Sequence, residues 1–156
     1  MLDKSDKDKL DNDKSDKIDN FAKVKLEMSF ASETKLIQAA VRSLLEFLDS
    51  NNNELRLIFS ELIHNAIIHG NKSDPSKRVY IRLATTDNRY NVSIRDEGSG
   101  FDPFRALESA RSELALFNEH GRGMLLASAL CDEISYNEVG NMVTVTGRIH
   151  LKYETS

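Results

Sequence analysis

The sequence predicts an α/β fold with helices packed on one face of a mixed sheet, and two patterns carry that class. Apolar and polar residues alternate in short runs near residues 24–30, 78–84, 90–95 and 142–151, the period of strands buried on one face. Between the first two runs, residues 33–48 and 53–69 carry apolar side chains at the spacing of helices covered on one side. The whole order reads β-α-α-β-β-α-α-β-β without an internal repeat, so both helical pairs have one sheet to cover.

Taken in order, residues 1–20 hold five Lys and seven Asp, with only Met1, Leu2, Leu10 and Ile18 apolar. So little burial cannot offset the entropy of ordering, and a disordered charged tail is expected. Folding should begin near Phe21, giving one domain over residues 21–152. Val24, Leu26, Met28 and Phe30 form the inward side of a first strand. Ser32 stands where a cap is needed, and Leu36, Ile37, Ala40, Val41, Leu44, Leu45 and Leu48 mark a helix from Glu33 to about Leu48. Asp49 to Asn53 reads as a turn. A second helix runs from about Asn53 to His69 and stops at Gly70, a suitable residue for a left-handed helix end.

Asn71 to Lys77, with Pro75, reads as a loop. Strands Arg78 to Ala84 and Tyr90 to Arg95 are joined through Thr86-Asp87-Asn88 as a hairpin. Gly98 and Gly100 end the second of these. Asp102-Pro103 can start a short helix, the segment to His120 is weakly specified, and Gly121 to Leu130 reads as a helix. Glu133 to Tyr136 and Met142 to Leu151 close the chain as strands.

Length and charge narrow the function. A chain of 156 residues fits one domain, and 40% apolar residues suffice for a core. The net charge of −4 argues against direct nucleic-acid binding, which needs a basic surface. A single cysteine, Cys131, cannot form an internal disulfide. No apolar run approaches the ~20 residues of a membrane span, and the amino terminus lacks a secretory pattern. A cytoplasmic protein that does not enter membranes is the expectation.

Three sets of residues ask for a chemical explanation. On the second helix Leu55, Ile58, Phe59, Leu62 and Ala66 share one face, with Leu57 and Ile68 near the other side. Glu61 and Asn65, four apart and therefore neighbours, fall between these stripes, while Asn53, Arg56, Ser60 and His64 mark the exposed strip. A carboxylate and a carboxamide on a largely covered helix need partners. A cation with its ligand would supply them; so would an ion pair for Glu61 and a loop cap by Asn65. His64 and His69 are five apart and do not make a zinc pair.

Glycine placement is the second signal. Gly98 and Gly100 follow a strand, and Gly121 and Gly123 open a helix, positions where a phosphate chain or a flat ring can approach free backbone N–H groups. Taken alone, each pair reads first as ordinary turn chemistry. The spacings of the P-loop and dinucleotide-binding motifs are absent. Third, Asp96 lies between the strand residues Val92 and Ile94 and the glycine turn. Its carboxylate can accept from an exocyclic amine, or bond its own backbone as an Asx turn.

Glu61-Leu62-Ile63-His64-Asn65, Asp96-Glu97-Gly98-Ser99-Gly100 and Gly121-Arg122-Gly123, in this order, resemble the N, G1 and G2 boxes of the GHKL ATPase superfamily, which includes histidine-kinase catalytic domains, gyrase, Hsp90 and MutL. The longer strings ELIHNAIIHG (Glu61 to Gly70) and IRDEGSGFD (Ile94 to Asp102) resemble the bacterial anti-sigma-factor serine/threonine kinases of the RsbW and SpoIIAB type. The resemblance covers about Phe21 to Leu151. It implies the Bergerat fold, a two-layer α/β sandwich with a mixed, mostly antiparallel sheet and helices on one face.

It also implies ATP and Mg²⁺ as cofactors, with Asn65 as metal ligand and Glu61 as the residue that orients or deprotonates the attacking hydroxyl. Asp96 would accept from the adenine amine, Gly98 and Gly100 would shape the base pocket, and Gly121 and Gly123 would let the lid meet the phosphates. Arg122 would touch a phosphate or face solvent. The implied partners are a STAS-domain anti-anti-sigma factor, phosphorylated on a serine or threonine, and a sigma factor held inactive; such kinases are generally homodimers.

Two departures stand out. Gly140-Asn141-Met142 replaces the family's Gly-Thr, which bears on nucleotide affinity and selectivity, and residues 101–120 lack the family's lid pattern. The alternative is a nucleotide-gated binding module without kinase activity. A histidine-kinase catalytic fragment is weaker, because the 20-residue leader is too short to supply a phosphoacceptor helix.

Overall fold

The computed structural model describes residues 24–100, 127 and 129–149. The expected tail, residues 1–20, and the lid segment lie outside the described residues, as do Gly121, Arg122 and Gly123.

The described strands are β1 (Val24–Ala31), β2 (Arg78–Thr86), β3 (Arg89–Arg95), β4 (Glu133–Tyr136) and β5 (Met142–Arg148). They form one sheet in the order β1-β2-β3-β5-β4, and every pairing is antiparallel. Two helices follow β1: α1 (Ile37–Phe47), entered through a 3₁₀ turn at Thr34–Leu36, and α2 (Asn53–Asn65), extended by a π-helical turn at Ala66–Gly70. A helical pair carries the chain back and out again, so the next strand returns against β1. This is why an antiparallel β1–β2 pair forms where a single crossover helix would give a parallel one.

Strand register turns the alternating pattern into continuous apolar rows. Met28, Ile81, Ile94, Val143 and Tyr136 line up across the sheet, and Leu26, Leu83, Val92, Val145 and Ile134 form the next row. Against these rows pack Val41, Leu44 and Leu45 of α1 and Ile58, Phe59, Leu62 and Ile63 of α2, all nearly inaccessible to water. Phe59 meets Tyr90 edge to face, with centroids 6.2 Å apart, the preferred geometry for an aromatic pair. The helix α2 starts where Asn52 Oδ1 accepts from the N–H groups of Glu54 and Leu55 at 2.8 and 3.1 Å, a cap worth about 1 kcal/mol.

Four local expectations change. Ser32 does not cap α1; it is buried, its N–H donates to the Lys77 carbonyl, and its hydroxyl accepts from Asn71. Gly70 is not left-handed, because the reversal is made by Lys72 and Ser73 at φ 55° and 58°. The second apolar stripe of α2 is covered only in part: Leu57 is 38% exposed, while Ile68 is half-buried against the core. Ser60 and His64, placed on the exposed strip, are half-buried.

Candidate functional site

The site begins where α2 widens. In the π-helical turn the Asn71 N–H reaches back five residues to the Ala66 carbonyl at 2.8 Å. Such turns are uncommon and are found at functional sites. Here the widening carries the Asn71 side chain into the interior, where it is fully buried. Its Nδ2 donates to Ser32 Oγ at 2.5 Å and to the Arg78 carbonyl at 2.9 Å, and its Oδ1 accepts from the Glu97 N–H at 2.7 Å. One carboxamide thus ties the end of α2 to the end of β1, the start of β2 and the loop after β3. A buried amide with its donors and acceptor all engaged fixes the geometry around it.

That loop places Asp96 and Glu97 on opposite sides. Glu97 turns outward, where Oε1 accepts from the Tyr80 hydroxyl at 2.8 Å. Asp96 turns inward and is 4% exposed. Its N–H donates to the Asn141 carbonyl at 2.9 Å, which joins it to the turn before β5, and its Oδ1 accepts from the Gly98 N–H at 2.8 Å. The two readings of Asp96 therefore coexist: the Asx-type bond orients one oxygen and sets the angle of the other. Burial pushes the carboxyl pKa up; the Gly98 bond and the charges of Lys77 and Arg95 oppose it.

Glycine is required here for close approach. A Cβ on Gly70 would overlap the Asp96 carboxylate, and one on Gly98 would overlap the Gly70 carbonyl. Gly100 has φ +89°, and a Cβ there would overlap the Val139 carbonyl. The role of Gly70 is thus to admit a carboxylate against the helix end, a reason its position in the sequence does not reveal. The turn facing this loop is organised by Asn137. Its Oδ1 accepts from the N–H groups of Gly140, Asn141 and Met142 at 2.9, 3.0 and 3.2 Å, and its Nδ2 donates to Asn141 Oδ1 at 2.6 Å.

Between these parts lies a small cleft open to solvent. Leu62, Asn65 and Ala66 form the helix side, Ile94 and Asp96 the sheet side, and Tyr136 with residues 140–143 the third wall. The cleft brings Asn65 and Asp96 together. Glu61 stands one turn earlier on α2, half-buried, and is not among the described residues lining the cleft. Gly98 reaches the cleft only through its bond to Asp96, and Gly100 packs against Val139. Burial also pushes the Tyr136 phenol up to about 12, so it stays neutral at physiological pH.

Reading the sequence missed Asn71, Asn137 and Tyr136. The run Asn137 to Gly140 carried the signal of an Asx-type turn. Asn71, directly after Gly70, carried none that separates it from any loop asparagine.

The arrangement suits a ligand with a flat polar ring at one end and an anionic group at the other. The Asp96 carboxylate stands beside the apolar walls Ile94, Ala66 and Val143, and Asn65 stands on the helix side.

Comparison with known proteins agrees with this geometry. The family described as the histidine kinase-like ATPase domain matches residues 29–146. A protein named anti-sigma F factor from Oceanobacillus iheyensis is 30% identical over 137 residues, covering 81% of this chain and 94% of the relative. The anti-sigma F factor of Shouchella clausii is 32% identical, covering 72% of this chain and 80% of that protein. The anti-sigma F factor of Bacillus subtilis is 30% identical, covering 78% and 88%. The chain belongs to the histidine kinase-like ATPase domain family, as an ATP-binding domain of the GHKL type whose relatives include the anti-sigma F factors.

Proposed function

We propose that the chain is an anti-sigma-factor protein serine/threonine kinase that binds ATP with Mg²⁺, phosphorylates a STAS-domain anti-anti-sigma antagonist, and sequesters a sigma factor. The observation that carries the reading is the shared cleft of Asn65 and Asp96, set at opposite walls by α2 and the end of β3. The relatives' name supports the sigma-factor half of the reading, and the family supports the nucleotide half.

The residues fit the nucleotide. Asp96, buried with Oδ1 already holding the Gly98 N–H, meets an amine with its second oxygen. The missing side chains at Gly70 and Gly98 leave that carboxylate room. Asn65 offers a single neutral oxygen, a donor suited to a hard cation that takes its other ligands from phosphate and water, as Mg²⁺ does. When bound, the metal neutralises charge on the phosphates. Glu61 accepts the proton of the attacking serine or threonine hydroxyl, whose oxygen forms the new bond to the terminal phosphorus as ADP leaves. This chemistry asks the protein mainly for positioning and charge. Gly121, Arg122 and Gly123 complete the phosphate side in this reading, the domain spans residues 21–152, and a cytoplasmic homodimer is the working form.

The test is transfer from labelled ATP with Mg²⁺ to the cognate STAS partner. Glu61→Ala should lower transfer by roughly 10² or more and leave ATP binding in place. No transfer by a wild-type chain that binds ATP rejects the kinase. A second reading, a nucleotide-gated binding module without kinase activity, is favoured by one observation: Glu61 does not line the described cleft. It expects ATP-sensitive partner binding with no phosphoprotein by mass spectrometry.

A further inference from the structure

The wall of the cleft opposite α2 holds a polar device that the nucleotide reading does not use. Asn137 Oδ1 accepts from three backbone N–H groups, those of Gly140, Asn141 and Met142. Only the oxygen of a carboxamide can accept, so the orientation of Asn137 is fixed and its Nδ2 must be the atom facing Asn141. Nδ2 can only donate. The Asn141 atom it meets at 2.6 Å must therefore be Oδ1. The amide of Asn141, a residue lining the cleft, is left with Nδ2 as the group it offers, and that group is a donor.

We propose that Asn137 is a positioning residue that locks the Asn141 carboxamide donor-outward, so that Asp96 and Asn141 together read a base presenting a donor beside an acceptor. The inference rests on the nucleotide reading above. Asp96 takes a hydrogen from the exocyclic amine, and Asn141 gives one to a ring nitrogen flanking that amine. Asn141 is thereby a specificity-determining residue, with the acceptor nitrogen of the base as its target.

The lock can be reversed without dismantling the turn. In Asn137→Asp one carboxylate oxygen still accepts the three backbone bonds, but the other requires a donor. The Asn141 amide then rotates to give its Nδ2 and presents Oδ1 to the cleft, turning the donor into an acceptor.

The experiment is isothermal titration of the full chain, with Mg²⁺, against ATP, 1-deaza-ATP and 7-deaza-ATP. Each analogue lacks one of the two ring nitrogens beside the amine. The wild-type chain should bind one analogue about 3- to 10-fold more weakly than ATP, the range for one neutral hydrogen bond. In Asn137→Asp, ATP affinity should fall by a similar factor and the analogue penalty should vanish. Asn141→Ala, which removes the donor directly, should abolish the penalty as well and guards against a folding defect in the first variant. A turn that is merely structural would weaken all three ligands alike and keep their ratios. The proposal is overturned if the wild-type chain binds ATP and both analogues equally, or if either variant keeps the wild-type ratio. Failure of the wild-type chain to bind ATP at all would remove the nucleotide reading together with this inference.

Discussion

Replacing Asn71 by Ala removes the carboxamide on which the cleft's framework converges. The Arg78 carbonyl and the Glu97 N–H lose their described side-chain partner, each in a partly buried bond, while Ser32 can turn its hydroxyl elsewhere. Each orphaned buried group costs about 1–3 kcal/mol. Because both bonds are partly buried the low end of that range applies, and the two together give a loss of about 2 kcal/mol, which for a domain of this size lowers Tm by about 6 °C. Urea unfolding followed by far-ultraviolet circular dichroism measures it, with Ser32→Ala as the control expected to lose only about 1 kcal/mol. A loss below about 1 kcal/mol for Asn71→Ala would refute the reasoning, because the side chain would then be a passenger. In the fraction still folded, release of the Glu97 N–H frees the loop that aims Asp96, so ATP affinity should fall in parallel.

Asp96→Asn should uncouple stability from binding. Burial holds the carboxyl pKa above its ordinary value, so the folded state keeps the proton longer than the unfolded chain. Stability from this group is present below the ordinary carboxylate pKa and is lost as pH rises through the raised one. The amide variant should therefore be more stable than wild type at pH 7, and the gain should shrink as pH falls toward 4, which urea titrations at several pH values will read. Binding should be lost, because Oδ1 stays with Gly98 and Nδ2 meets the amine donor to donor. Gly70→Ala should abolish ATP binding in calorimetry, since its Cβ overlaps the Asp96 carboxylate; wild-type affinity in this variant would show that the helix end can retreat. The Cys131 thiol, half-buried with its pKa raised by burial and partly offset by the Tyr90 hydroxyl at 3.6 Å, should alkylate more slowly with iodoacetamide at pH 8 than a free thiol. Unfolding in urea should abolish the difference.

Local periodicity was enough to place the described strands and both helices, because each buries a face whose spacing is set by backbone geometry. Leu57 shows the boundary of that rule: helical phase tells which residues share a side, but only the tertiary partner decides whether the side is covered. Asn65 and Asp96 were legible because an amide on a partly covered helix and a carboxylate at a strand end are locally costly and ask for a partner. Asn71 was not, since its worth lies in partners up to 39 residues away that no spacing encodes; Asn137, whose partners lie three to five residues on, carried a local turn signal that does not single it out. Gly70 was legible as a helix end and misread in purpose, because the carboxylate that forbids its side chain lies 26 positions further on.

In the nucleotide reading proposed above, the same features set ligand binding and a stable fold against each other. A carboxylate with one oxygen engaged and nearly all its surface buried is the arrangement that desolvation opposes most, and the neighbouring backbone allows it only because Gly70 and Gly98 lack side chains. An amine arriving at the second oxygen supplies the hydrogen bond that water would have given. Ligand uptake should then stabilise the chain in proportion to the logarithm of nucleotide concentration over Kd. Asp96→Asn should be stable without that help and indifferent to ATP. A thermal shift with ATP in wild type that persists undiminished in Asp96→Asn would place the nucleotide elsewhere than this cleft.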